Sequence, residues 1–401
     1  MKPEQPGPLS DLRVVELGQL VAGPFCGQLF ADFGAEVIKL EDPNGGDPMR
    51  QWGREGAHGQ SLWWPVVARG KKSVTCNLRR AEGQALTREL IAKSDVVIEN
   101  FRPGTMERWG LGYEDLVKIN PRIVLIRVSG FGQNGPYSKR AGYGSIGEAM
   151  GGLRYITGDP GNPPSRTGIS IGDSLAGLFA ALGGIMAVHN RHRTGRGQVV
   201  DAAIYEAVLA MMESLIPEYA IAGYQRERSG ATLPNVAPSN VYRAMDGQDI
   251  LIAANQDSVF TRLAAAMDHQ EFAIDPMYAT HGARGTNHAA LDEIINTWAA
   301  GHASDDLLAI LESAGVPAGR VYRAADMLVD EHFAARESIV RLIDDRFGEF
   351  PLQNVAPRLS ETPGKIRWLG PELGQHNDEV YENLLDVTPE QRAALTASGV
   401  I

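Results

Sequence analysis

Asp173 lies in the run Gly168-Ile169-Ser170-Ile171-Gly172-Asp173-Ser174-Leu175, where small residues give way to a long apolar stretch. A carboxylate placed there can be approached closely by a bulky ligand. It can equally cap a helix by accepting from the first free N–H groups. Position alone leaves both roles open. A second group of candidates is Asn100-Phe101-Arg102-Pro103-Gly104-Thr105, with Arg108 about one helical turn further on. An amide, an aromatic face and two guanidinium groups suit an aromatic base carrying phosphates. A solvated loop with surface arginines has the same composition. Three basic pairs, Lys71-Lys72, Arg79-Arg80 and Lys139-Arg140, adjoin predicted strands. One such pair is ordinarily a solvated face, but three in an acidic chain favour an anion site.

The elements that must position these residues alternate between strand and helix. Residues 13–17 read as a strand, 24–33 as an apolar helix and 36–41 as a second strand, which is a βαβ unit. The pattern recurs in a strand over 73–77, a helix over 81–94 carrying Leu86, Leu90 and Ile91, and strands over 95–99 and 123–128. Such alternation predicts an α/β fold with an open parallel sheet, whose ligands bind beyond the carboxyl ends of the strands. The segment 174–190 is apolar on most faces and is expected to be a buried helix. The loop Gly18-Gln19-Leu20-Val21-Ala22-Gly23-Pro24 lacks the G-x-G-x-x-G spacing, which disfavours a nicotinamide dehydrogenase. No G-x-x-x-x-G-K-[ST] is present, so a P-loop nucleotidase is excluded.

The 401 residues carry a formal charge of −11, with 43% hydrophobic and 22% charged residues, enough chain for two domains and a sizeable core. That charge argues against nucleic acid as a partner. Cys26 and Cys76 are too few for a disulfide framework and lack ligands at metal spacing, so no metal is expected. The N-terminus from Met1 to Pro8 is polar and proline-rich, and no stretch is expected to reach the length of a membrane span. A soluble, cytoplasmic protein is the expectation.

Several blocks, in order, resemble one family. They are residues 9–17 (LSDLRVVEL), Ala22-Gly23-Pro24, residues 32–41 (DFGAEVIKLE), and Gly46-Asp47 followed by Arg50 and Trp52. Further on come residues 99–104 (ENFRPG), 130–136 (GFGQNGP), 194–198 (TGRGQ) and 315–319 (GVPAG). Over nearly its whole length the chain resembles the class III coenzyme A transferases, a family that includes formyl-CoA transferase, succinyl-CoA:dicarboxylate transferases and α-methylacyl-CoA racemases.

The resemblance implies a Rossmann-like large domain, 1–223 with 326–401, and a smaller α+β domain, 224–325. It also implies an interlocked homodimer. A predicted hairpin over 241–253 and helical segments around 260–267 and 307–314 agree with a separate small domain. Asp173 matches the family's catalytic nucleophile, which forms a mixed anhydride with the donor acyl group and then an aspartyl-CoA thioester. Val21, Ala22, Leu78, Arg79, Asn100, Phe101 and Arg108 match residues along the CoA path, while Trp52, Tyr143 and Ile204 fall where the acyl group lies. Arg50 is placed either on a distal carboxylate or in a salt bridge with Asp47.

Coenzyme A enters as acyl-CoA substrate, and a small organic acid is the second partner. Asp42 stands where formyl-CoA transferase has an arginine, and Pro234–Asn240 replaces that enzyme's glycine-rich loop. The first departure removes a contact to the nucleotide, and the second favours succinyl-CoA with a dicarboxylic acceptor over formate and oxalate. The racemases carry a histidine where this chain has Tyr143, which removes their proton partner. A CoA-binding protein without turnover is the alternative outside catalysis.

Overall fold

A computed structural model of the chain describes residues 6–56 and 59–401; the first five residues of the proline-rich N-terminus lie outside the described residues. Two compact units are present. One is Met1–Arg154 with Thr167–Glu213 and Ala334–Ile401, and the other is Tyr155–Arg166 with Ser214–Phe333. The segment 224–325 falls inside the second.

Six parallel strands carry the first unit: β1 (Arg13–Glu16), β2 (Glu36–Glu41), β3 (Lys71–Thr75), β4 (Val96–Glu99), β5 (Val124–Ser129) and β6 (Val199–Ala203). Their order is β3-β2-β1-β4-β5-β6, so the expected open parallel sheet is present. The sequence reading had no β6; Val199-Val200-Asp201-Ala202-Ala203 contains only two β-branched residues to announce it. The strand order reverses between β1 and β4, which opens a crevice beyond their carboxyl ends.

Alternation along the strands builds two cores. Val14, Val37, Val96, Ile98, Val124 and Ile126 form one face. Val15, Ile38, Val97 and Leu125 form the other, closed by Leu90, Ile91, Val380, Tyr381, Val400 and Ile401.

The helices that matter for the site are α1 (Ala22–Asp32), α2 (Ala81–Ala92), α3 (Gly144–Met150), α4 (Ile171–Thr194) and α5 (Ile204–Leu209). α4 packs inward through Gly172, Ala176, Gly177, Ala180, Ala181, Gly184 and Ala187. Nothing larger fits at two of these positions: a Cβ on Gly177 would stand 2.7 Å from Ala22 O, and one on Gly184 2.5 Å from Ile126 Cδ1.

Two expectations about this segment are corrected. Only one face of α4 is buried, because Leu178, Leu182, Ile185 and Met186 project outward, each more than 40% exposed. At 24 residues with mean hydropathy 1.7, α4 is also long and apolar enough by length and composition to cross a membrane. Its charges are confined to the two ends, whereas its inner face is the small-residue stripe packed on α1 and β5. The helix start differs too. Ser170 occupies the N-cap position, without a side-chain cap bond, and Asp173 is the third helical residue.

In the second unit, α6 (Leu215–Ala222) precedes the strands β7 (Ser239–Arg243), β8 (Asp249–Ala253) and β9 (Ala318–Arg320). The expected hairpin is β7 and β8, antiparallel with Gly247 at φ +79° in its turn, and β9 adds antiparallel to β8. Tyr242, Ile250, Ile252, Phe260, Leu263, Leu291 and Leu307 form its core.

Candidate active site

A cavity of about 330 Å³ opens at the carboxyl ends of β1, β4 and β5 in the first unit. Its walls are Gln19–Ala22 after β1, Asn100–Pro103 after β4, and Val128 and Ser129 at the end of β5 with Gly130, Ser138 and Arg140–Tyr143 beyond it; Asp173 and Ile204 complete it. The reversal in strand order places the first two walls side by side, since β1 and β4 are neighbours.

Asp173 is half-buried and meets main chain rather than side chains on one flank. A Cβ on Gly144 would stand 2.0 Å from Asp173 Oδ2, so the carboxylate occupies the space that the glycine leaves. Gly130 and Gly142, which also line the cavity, lie close to each other: a Cβ on Gly130 would be 3.0 Å from Gly142 Cα. Three glycines thus keep this side of the cavity bare. Behind the carboxylate, Gly172 N donates to buried Glu148 Oε1 at 3.4 Å, and Arg154 Nη2 pairs with Glu148 Oε2 at 2.7 Å.

Residues 9–377 match the model of CoA-transferase family III. The chain belongs to that family. It is 59% identical to the succinyl-CoA–D-citramalate CoA-transferase of Chloroflexus aurantiacus over 396 residues, 99% of this chain and 98% of that protein. It is 35% identical to the succinate–glutarate CoA-transferase of Agrobacterium fabrum, covering 95% of this chain and 97% of the relative. A crystal structure of a CAIB/BAIF family protein from Brucella suis has the same fold, with a TM-score of 0.83 at 36% identity over 95% of this chain and all of that one. The chain is accordingly a class III CoA-transferase, an enzyme of CoA thioesters.

Within this transferase, Asp173, Val21, Ala22, Asn100, Phe101, Tyr143 and Ile204 all line the one cavity. The other residues singled out from the sequence lie elsewhere. Arg50 donates to both oxygens of Glu41 at 2.8 Å and to Pro371 O at 3.1 Å, with its guanidinium 3.8 Å over the Trp64 ring. The residue paired with it is therefore Glu41, not Asp47. Trp52 is 47% exposed, and Leu78 packs against the second core. Arg79 is exposed and paired with Asp42 at 2.9 Å, while exposed Arg108 donates to Thr105 Oγ1 at 2.9 Å. Gln19, Arg102 and Arg140 line the cavity without having been assigned to it. The last two stood in the loop and basic pair that the sequence had marked.

The β4 end is tied down by Glu99, which is fully buried. Phe101 N donates to Glu99 Oε2 at 2.7 Å and Arg127 Nε to Oε1 at 2.7 Å. Burial pushes the Glu99 carboxyl up to about 7 from an ordinary 4.5, against the opposing pull of Arg127. A folded-state value above the unfolded one gives stability that is complete below about pH 4.5 and is lost as pH rises to about 7. Glu99→Gln cannot ionise. The difference in unfolding free energy between the two proteins should therefore move against the wild type by up to about 3 kcal/mol across that window and stay level above it. Urea unfolding of both at pH 5, 6, 7 and 8 measures this; a pH-independent offset would refute it.

Proposed function

We propose that this chain transfers CoA from succinyl-CoA to a dicarboxylic acid, with Asp173 as the nucleophile and citramalate the first acceptor to test. The observation that carries the reading is the Asp173 carboxylate in a glycine-walled cavity, in a chain 59% identical to a transferase named for that donor and acceptor. An Asp173 oxygen attacks the thioester carbon, the C–S bond breaks, and CoA leaves as thiolate from a succinyl-aspartyl anhydride. The thiolate attacks the Asp173 carbonyl, succinate departs, and an aspartyl-CoA thioester remains. The acceptor carboxylate then repeats the two steps in reverse order. One thioester is exchanged for another, with no net change in redox state or protons.

In this scheme Val21, Ala22, Asn100, Phe101, Arg102 and Arg140 line the path of CoA. Leu78, Arg79 and Arg108 meet its nucleotide end further out, and Tyr143, Ile204 and Trp52 meet the acyl group. Arg50 enters only if its pair with Glu41 opens. The same reading takes the chain as an interlocked homodimer of a large domain, 1–223 with 326–401, and a small one, 224–325. The outward apolar row of α4 supports this. So does α6, where no residue is buried and Ile216 and Ile221 are 58% and 86% exposed.

The test is to incubate the protein with succinyl-CoA and citramalate, malate, glutarate, mesaconate or itaconate, and to identify new thioesters by mass spectrometry. Hydroxylamine added during turnover is expected to modify the peptide containing Asp173. Modification elsewhere refutes the nucleophile. If no acid accepts CoA while a chiral methylacyl-CoA exchanges its α-hydrogen with deuterium, the protein is a racemase.

A further inference from the structure

The peptide Gly18–Ala22 joins β1 to α1 and supplies one wall of the cavity through Gln19–Ala22, and its main chain is held by side chains from three distant places in the sequence. Asn100 engages both polar groups of Gln19: Gln19 N donates to Oδ1 at 2.8 Å, and Nδ2 donates to Gln19 O at 2.7 Å. Lys39 Nζ donates to Gly18 O at 2.6 Å. Leu20 N donates to Asp47 Oδ1 at 3.1 Å. Leu20 has φ +66°, a left-handed conformation that disfavours a leucine by about 1 kcal/mol, so these holds act on a peptide that would otherwise relax.

The anchors are themselves fixed. Lys39 and Asp47 are each 1% exposed. Lys39 Nζ lies 2.9 Å from both Asp47 Oδ2 and Glu16 Oε1, and Lys71 Nζ faces Glu16 Oε2 at 2.8 Å. Asp47 Oδ1 also accepts from Met49 N at 3.0 Å, and Asp47 N donates to Glu41 Oε2 at 3.0 Å. Four buried charges are a costly way to support a turn, because each loses several kcal/mol of hydration that pairing must offset. Hydrophobic packing would hold a turn that had no other task.

We propose that Asp47 and Asn100 are positioning residues, which hold the Gly18–Ala22 peptide so that the start of α1 keeps its place at the cavity shared with Asp173. Only Ala22 and Gly23 offer an N–H there with no acceptor within the helix, because Pro24 has none and Phe25 N donates to Val21 O at 2.7 Å, and this pair suits an oxyanion formed during acyl transfer. Asp47 does not line the cavity and acts through Leu20 and, by way of Lys39, through Gly18. Asn100 does line it, but its amide is committed to Gln19. The catalytic consequence rests on the transferase reading above; the clamp itself does not.

The experiment pairs two readouts on the whole protein and on Asp47→Ala and Asn100→Ala. In wild type the Gln19 and Leu20 amides should be protected from hydrogen exchange although they lie in a loop, and each variant should speed that exchange at least about tenfold. With succinyl-CoA and an accepted acid, kcat should fall about 10- to 100-fold while KM for succinyl-CoA stays within about threefold. Unprotected amides in the wild type, or unchanged exchange in both variants, overturns the proposal. So does a raised KM at constant kcat, which marks direct ligand contact. If neither variant folds, protection in the wild type decides. If the wild type transfers CoA to no acid, the functional reading fails and the exchange data still judge the clamp.

Discussion

Asp173→Asn is expected to keep the fold and to lose CoA exchange by at least about a thousandfold, because an amide cannot form the anhydride that links the two half-reactions. The substitution keeps the side chain's shape, so the packing against Gly144 is retained. Its structural cost should be small. An acidic side chain in the first turn of α4 contributes about 0.3–1 kcal/mol through the helix dipole, which the variant gives up. Residual activity that grows on storage would report deamidation back to aspartate, and Asp173→Ala controls for it. The decisive measurement combines a urea unfolding curve with exchange of labelled succinate into succinyl-CoA, a half-reaction that needs no knowledge of the acceptor. A variant that folds normally and exchanges within tenfold of wild type would show that Asp173 is not the nucleophile. One that binds CoA normally while the wild type itself shows no exchange would instead point to a binding protein.

The sheet was legible because its strands are short β-branched runs bounded by helices of clear period: Val14-Val15, Val37-Ile38 and Val96-Val97-Ile98 announce both faces at once. The cavity was legible in outline for the same reason, since ligand loops follow strand ends in this topology. What the sequence could not show is whether a polar side chain spends its hydrogen bonds on a ligand or on the protein. Asn100 and Arg50 both have the chemistry of ligand contacts, yet Asn100 is engaged by Gln19 and Arg50 by Glu41, 81 and 9 positions away. Glu148 was invisible because Arg154 neutralises it from beyond the end of α3 and nothing local marks it as buried. Apolar composition likewise revealed that α4 was hydrophobic on most faces, but not that its bulky row points out while glycine and alanine point in. Helix packing distance decides that, and distance is a property of the partner, α1.

Gly144→Ala should lower kcat about 100-fold while leaving the melting temperature unchanged or slightly raised, and the opposite directions of these two effects make the result diagnostic. Gly144 is buried, begins α3 and is not among the residues with positive φ, so alanine meets no backbone strain there. Replacing glycine by alanine gains about 0.5–1 kcal/mol in a helix interior and less at a first position such as this one. The new methyl group, however, would stand 2.0 Å from Asp173 Oδ2 and 2.6 Å from its Cγ, far inside van der Waals contact. One of the two must yield. The main chain of α3 cannot retreat, because Gly147 and Gly151 already bring it against α5, where a Cβ would be 2.4 Å from Ile204 Cγ2 and 2.7 Å from Val208 Cβ. The Asp173 side chain therefore turns away, and a displacement of about 1 Å from the line of attack suffices for a loss of this size. Parallel melting curves and succinate exchange measure both effects. Full activity at an unchanged melting temperature would mean that the carboxylate reacts from a different rotamer and that Gly144 does not shape the site. A loss of activity accompanied by a fall in melting temperature of many degrees would place the fault in the packing of α3 instead.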